Sequence, residues 1–174
     1  MNTILHTTRL LLVRHGETAE NVAQIMQGQT QGALNDNGIR QARQLAQRLA
    51  LEPIDAFISS DLRRAVDTCR LLAEPHGKDF VTTPLLRERD WGSFTGRFIP
   101  SLQGEPWPDD IETLEQLKQR ADRFLSLIRK DYCGLTVVAV GHGIINKAIQ
   151  SVWLNKPMNE IQKMTNTEVR TLYL

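Results

Sequence analysis

The chain has 174 residues, 41% of them hydrophobic and 24% charged, enough for one well-formed core and too few for two comfortable ones, so a single domain over residues 1–174 is expected. Its 21 basic side chains nearly cancel its 20 acidic ones, for a net charge of +1, so no global field draws it to nucleic acid or to an anionic membrane. Any anion it binds must be held by a local cluster of charge.

Leu10-Leu-Leu-Val13 is a short apolar run followed at once by polar residues and Gly16, which predicts a strand buried on both faces. From Asn35 onward Ile39, Ala42, Leu45, Ala46 and Leu49 recur at helical spacing. The helix they predict has Asn35 or Asp36 as its cap and ends before Pro53. Ala56-Phe-Ile-Ser59 predicts a second strand, and Asp61 to about Ala73 a helix opened by Ser60 or Asp61. Residues 80–86 read as a third strand. Arg87 to Asp110 mixes Gly, Pro and aromatic residues without a period and reads as a long functional loop. Leu114, Leu117, Ala121, Phe124, Leu125 and Ile128 mark a long amphipathic helix, followed by the strand Leu135-Thr-Val-Val-Ala-Val140. A helix over about Ile144–Trp153 and an alternating edge strand over Val169–Leu174 complete the chain. Strands alternating with helices predict an α/β fold, a mostly parallel sheet covered on both faces.

In such sheets the ligand crevice lies beyond the carboxyl ends of the strands. Here those ends carry Arg14-His15-Gly16-Glu17-Thr18 with Asn21, then Ser60 leading to Arg63 and Arg64, then Glu88, then Gly141-His142-Gly143. Two histidines, two or three arginines and one carboxylate are expected to converge on one crevice.

These stretches resemble the histidine phosphatase superfamily, which includes the cofactor-dependent phosphoglycerate mutases. Arg14-His15-Gly16-Glu17-Thr18-x-x-Asn21 is similar to the family's signature, and Gln27-Gly28 with Leu34-Asn35-x-x-Gly38-x-x-Gln41-Ala42 to the loop and helix that follow it. Ser60-x-Leu62-x-Arg64-Ala65-x-x-Thr68 resembles the second-arginine motif, Glu88-Arg89-x-Trp91-Gly92-x-x-x-Gly96 the acid loop, and Gly141-His142-Gly143 the second-histidine motif. Two departures stand out. Ala33-Leu34-Asn35 replaces a common Pro-Leu-Thr, which leaves the helix cap intact because Asn caps as well as Thr. Ile111-Glu112-Thr113 replaces Gly-Glu-Ser, which affects only the turn before the long helix.

The resemblance implies a phosphoglycerate mutase-like three-layer sandwich with an antiparallel edge strand. It also implies His15 as a nucleophile that becomes phosphohistidine, Glu88 as proton donor and base, and Arg14, Arg64 and His142 around the phosphoryl group. Asn21, Gln27, Gly28 and Gly143 would complete the phosphate pocket. The chemistry is consistent with that assignment. A phosphate dianion repels nucleophiles unless fixed cations surround it, and two guanidiniums, with His142 as a third cation if protonated, supply them without a metal or other cofactor. Two guanidiniums beside His15 also favour its neutral, nucleophilic form, with its second ring nitrogen donating to a carbonyl or a carboxylate.

Plainer roles are expected elsewhere. His6 and His76 read as solvated, and Arg63 and Arg87 as surface charges. Arg89 braces the acid loop, Trp91 forms a wall under Glu88, and Glu17 orients the pocket. Arg97 is a further candidate surface charge. Phe98, Ile99 and Trp107 either anchor the long loop or form a lid. Cys69 and Cys133 lack metal-ligand spacing and read as buried thiols in a reducing compartment. Met1 to His6 has no signal-peptide character and no apolar run approaches the ~20 residues of a membrane span, so a cytoplasmic protein is expected, as monomer or homodimer.

The mutases of the family carry a long basic insertion after the position of Gly96. Here Arg97 to Glu112 is short, with one basic and four acidic residues, which favours hydrolysis of a small-molecule phosphate monoester. An alpha-ribazole phosphatase-like enzyme is the nearest picture; a mutase-type phosphotransferase, a protein phosphohistidine phosphatase and a non-catalytic phosphate-binding module are the alternatives.

Overall fold

The computed structural model describes residues 7–174, so the expectation for His6 lies outside the described residues. Five strands form one sheet in the order β3-β2-β4-β1-β5. They are β1 (Arg9–Arg14), β2 (Ala56–Ser60), β3 (Phe80–Thr83), β4 (Thr136–Gly141) and β5 (Val169–Tyr173). The first four are parallel, and β5 runs antiparallel to β1 at the edge. The apolar runs read from the sequence are the central strands: Leu10, Leu12, Val13 and Val137 to Val140 have no exposed surface. Burial on both faces is why they do not alternate.

The side chains of each strand part to opposite faces. Leu10, Leu12, Val137 and Ala139 pack against α4 (Leu114–Asp131) and α5 (Gly143–Leu154). Leu11, Val13, Val138 and Val140 pack against α2 (Asp36–Leu49) and α3 (Arg63–Ala73). The result is the expected three-layer α/β/α sandwich. In α4 the predicted stripe is fully buried from Leu117 to Ile128, each such Leu or Phe contributing roughly 1.5–3 kcal/mol of transfer free energy, while Leu114 in the first turn is half exposed. Asn35 caps α2 by accepting from the Gly38 N–H at 2.7 Å. Thr113 and Gln116 cap α4 reciprocally, so the altered turn before that helix is well formed.

Several local expectations are corrected. A short helix, α1 (Ala19–Val22), follows the signature stretch and is too brief to leave a periodic pattern. Helix α3 starts at Arg63 with Leu62 at its cap position and no side-chain cap. Ser60 and Asp61 have other partners: the Ser60 hydroxyl accepts from Leu62 N–H and meets His142, and Asp61 pairs with Arg87. Arg87 is therefore tied down rather than a free surface charge. The third strand stops at Thr83, because Pro84 lacks an N–H for the ladder and opens a 3₁₀ turn over Pro84–Leu86. The loop after Arg87 contains two further 3₁₀ turns, Gly92–Phe94 and Ile99–Leu102, and a bridge from Phe98 to Ile25. Cys69 is buried, but Cys133 is exposed. His76 is half-buried against Phe57, with ring centroids 5.2 Å apart, rather than solvated. Among the described residues no helix is long and apolar enough to cross a membrane.

Candidate active site

Parallel pairing of β1 with β4 sets Arg14 opposite Gly141, so the residues that follow, His15 and His142, leave the sheet side by side. Their ring centroids are 5.0 Å apart. A cleft of about 540 Å³ opens at this point, lined by Arg14, His15, Asn21, Gln27, Gly28, Arg64, Glu88 and Gly143 among others. Every residue expected at the phosphate site is thus at the cleft, apart from His142, which is fully buried beside His15.

His15 is held in one tautomer by its own neighbour. Its Nδ1 lies 2.6 Å from the Gly16 carbonyl oxygen, an obligate acceptor, so Nδ1 carries the proton and Nε2 is left with its lone pair. Burial, then the Arg64 charge and more weakly Arg14, drive its pKa well below the usual 6.5, while the Gly16 bond pulls the other way. The ring is neutral. Gly16 is itself anchored, its N–H donating to the Thr68 hydroxyl of α3 at 3.0 Å.

The condition attached to His142, a third cation if protonated, is settled by its surroundings. Burial, Arg64, His15 and Arg14 hold its pKa well below 6.5, so the unliganded site keeps this ring neutral and it is not a third cation. Its Nε2 lies 2.9 Å from the Ser60 hydroxyl, which already accepts from Leu62 N–H. With the Ser60 O–H donating to Nε2, the neutral ring carries its proton on Nδ1. It acts as a donor without needing a charge.

The two arginines are fastened by backbone carbonyls. Arg14 Nη1 donates to Met164 O at 2.7 Å. Arg64 Nη1 donates to Thr30 O at 2.6 Å and to Gln31 O at 3.2 Å, and its Nη2 donates to Gly28 O at 2.8 Å. Burial lowers the Arg64 pKa to about 10, which still leaves it charged at neutral pH. The Nε of Arg14, the Nε of Arg64 and Nδ1 of His142 are all buried and have no hydrogen-bond partner among the described residues. Buried donors are nearly always satisfied, so three orphans around one histidine mark a place for an oxyanion.

Glu88 sits at the N-terminus of α5, where Ile144 and Ile145 N–H groups donate to its carboxylate at 3.1 Å and Arg89 N–H at 2.9 Å. Gly143 is the gap between this carboxylate and Arg14: a Cβ there would stand 3.6 Å from Glu88 Oε2 and 3.7 Å from Arg14 Nε. Arg120 was invisible in the sequence as a site residue, since its place in the helical repeat reads as one more polar position. It is 9% exposed, pairs with Glu112 at 2.7 Å, and donates to the carbonyls of Leu85, Arg87 and Glu88. Asn166 was missed too, because it belongs to no strand end. Its Nδ2 reaches His15 O at 3.0 Å and Asn21 Oδ1 at 3.2 Å.

The remaining expectations separate. Glu17 accepts from the Asn35 and Asn37 side chains, which lowers its pKa, and so ties the signature stretch to α2. Gln27 donates to Thr18 at 2.8 Å, bracing the cap of α1. Arg89 binds Glu112 O and lies 4.7 Å from the Trp91 ring and 5.0 Å from the Trp107 ring. Trp91 and Ile99 line the cleft, whereas Trp107 packs at a tilt against the rings of Trp91 and Phe94 and anchors the loop. Arg97 is not free, its guanidinium being held by both oxygens of Glu105. Arg63 projects into solvent as expected.

Similar proteins have the same architecture. The chain is 32% identical over 170 residues to a probable phosphoglycerate mutase GpmB of Yersinia pestis, covering 90% of this chain and 79% of the relative. It superposes on a mycobacterial glucosyl-3-phosphoglycerate phosphatase with a TM-score of 0.85 at 27% identity, covering 96% of this chain and 90% of that one. It also superposes on a phosphoserine phosphatase of Entamoeba histolytica, carrying a His-to-Ala mutation and bound to phosphoserine, with a TM-score of 0.84 at 27% identity over 94% of this chain and 89% of that one. The profile of the histidine phosphatase superfamily, branch 1, matches residues 10–174, and the chain belongs to that family.

Proposed function

We propose that the protein is a phosphatase that hydrolyses a small-molecule phosphate monoester through a phosphohistidine on His15. The observation that carries this reading is the set of three unpaired buried donors, Arg14 Nε, Arg64 Nε and His142 Nδ1, around a neutral His15 whose proton is committed to Gly16. His15 Nε2 attacks phosphorus, the P–O bond to the alcohol breaks, and protonated Glu88 gives the leaving oxygen its proton. Glu88, now ionised, takes a proton from water as that water attacks the phosphohistidine. Phosphate leaves and His15 is restored. Charge on the nonbridging oxygens is met by the two arginines, so no step in this scheme requires a metal.

Hydrolysis rather than transfer to a second hydroxyl is favoured by the segment after Gly96. Its one basic residue, Arg97, is taken by Glu105, which leaves that stretch no free cation for a second anionic group of a substrate. The outer cleft has Val22, Ile25, Met26, Trp91 and Ile99 on its walls, which suits an alcohol with apolar or ring character, as in an alpha-ribazole phosphatase-like reaction. The mutase name of the Yersinia relative supports a second reading, phosphoryl transfer between hydroxyls at the same site.

The test is turnover of para-nitrophenyl phosphate with excess chelator, combined with rapid quench. Acid-labile, alkali-stable phosphate on His15 is expected. No turnover under chelation would remove the metal-free scheme, and label on another residue would remove His15 as nucleophile. Mutase activity on phosphoglycerates as fast as hydrolysis would favour the second reading.

A further inference from the structure

Asn21 lines the cleft, as do His15 and Asn166, and which end of its amide faces a ligand is decided by backbone groups. Thr18 N–H lies 3.2 Å from one terminal atom of Asn21, and a backbone N–H only donates, so that atom is the oxygen, Oδ1. Asn166 lies with one terminal atom 3.0 Å from the His15 carbonyl, which only accepts, so that atom is its NH₂ group. The same NH₂ is 3.2 Å from Asn21 Oδ1. The two amides thus form a chain whose direction is set at both ends by main-chain atoms. Turning Asn21 over would set its NH₂ against two donors, and turning Asn166 over would set its oxygen against two acceptors.

We propose that Asn166 is a positioning residue that makes Asn21 present its NH₂, and not its carbonyl, to a phosphoryl oxygen in the cleft. This rests on the reading that the cleft binds a phosphoryl group. An amide oxygen turned toward a dianion is repelled, whereas an NH₂ donates a charge-assisted bond to it. The segment that carries Asn166 is well placed for this task. Met164 O accepts from Arg14, and Thr167 N–H donates to Arg14 O at 2.9 Å, so the donor of Asn21 and the guanidinium of Arg14 are fastened to one stretch of chain.

Inorganic phosphate is the probe, its affinity measured by calorimetry and as inhibition of para-nitrophenyl phosphate hydrolysis. The proteins are the wild type, Asn166→Ala, Asn21→Ala and the double variant. Asn166→Ala is expected to weaken phosphate about tenfold when Asn21 is present and by less than about twofold when residue 21 is already alanine. The same factor in both backgrounds would overturn the proposal, since a purely structural Asn166 acts whether or not Asn21 is there. Should Asn166→Ala fail to fold, the near-isosteric Asn166→Asp carries the same cycle: its added charge and its lost bond to the His15 carbonyl act in both backgrounds, and the lost bond to Asn21 Oδ1 only where Asn21 remains. A wild-type protein with no affinity for phosphate would overturn the functional reading itself, and that result is separate from the cycle.

Discussion

Gly16 and Gly38 approach so closely that a Cβ on Gly16 would stand 2.6 Å from the carbonyl oxygen of Gly38. This contact seats the turn that carries His15 on the first turn of α2, and no side chain fits between them. Gly16→Ala must push the two backbones apart. Overpacking of this kind costs about 1–3 kcal/mol, and a shift of the nucleophile by about 1 Å lowers kcat roughly a hundredfold. Thermal unfolding and kcat measured together check this, and an unchanged kcat would show that the His15 turn tolerates movement.

The two buried neutral histidines predict the direction of the pH dependence of stability. The pKa values of His15 and His142 in the folded protein lie well below the ordinary 6.5, chiefly through burial and then the Arg64 charge. Above pH 6.5 both are neutral folded and unfolded, and their contribution is flat. As pH falls below 6.5 the unfolded chain takes up protons that the folded protein refuses, so stability is lost down to the folded pKa values. The slope approaches about 1.4 kcal/mol per pH unit for each histidine. Melting temperatures of wild type and His142→Asn between pH 7 and 5 check it, the variant having the shallower fall.

Glu88→Gln keeps an acceptor for the N–H groups at the start of α5 but removes the proton. Turnover of para-nitrophenyl phosphate is expected to drop by about 10²–10⁴, with the affinity for phosphate largely kept. Steady-state rates and phosphate inhibition measured on one preparation decide it. An unchanged rate would place the proton donor elsewhere.

Arg120 holds the segment that carries Glu88, by its bonds to the carbonyls of residues 85, 87 and 88 and its pair with Glu112. Arg120→Met leaves the nearly buried Glu112 carboxylate without its ion pair, with the Asp90 N–H still donating to it and the Arg89 charge nearby, which costs up to about 3–5 kcal/mol. Denaturant unfolding should show that loss, and kcat should fall with little change in phosphate affinity, because the arginines of the cleft are anchored separately.

Ile99 is 45% exposed and forms part of the outer cleft. Ile99→Ser is expected to raise KM for an aryl ester such as naphthyl phosphate by about three- to tenfold through lost apolar burial, leaving inhibition by inorganic phosphate unchanged. An equal effect on both would mean that Ile99 shapes the phosphate end instead.

Much of this site could be read in the chain before folding was considered. The apolar runs at Leu10–Val13 and Leu135–Val140 located the two central strands, and the polar residues after them located Arg14, His15 and His142. Boundaries set by competition between partners were misread. Ser60 and Asp61 are good caps by type, yet His142 and Arg87 lay claim to them in three dimensions, and α3 begins two residues later with no side-chain cap. The charge of His142 is left open by the sequence for the same reason: a residue type has an ordinary pKa, but burial and neighbouring guanidiniums belong to the fold.

Local pattern alone therefore determined the chain order of the main strands and helices and the set of histidines, arginines and a carboxylate at the strand ends, because hydrophobic periodicity and residues adjacent to a strand end are short-range properties. The resemblance to the histidine phosphatases singled out His15, Arg14 and Arg64 among them. Only the tertiary structure decided the proton on His15 Nδ1, the neutral donor on His142, and the bracing roles of Arg120 and Asn166. Asn166 reaches His15 across 151 positions of chain. A hydrogen bond of that span leaves no periodic trace in the sequence, since the two ends meet only once the sheet has brought β1 and β5 together.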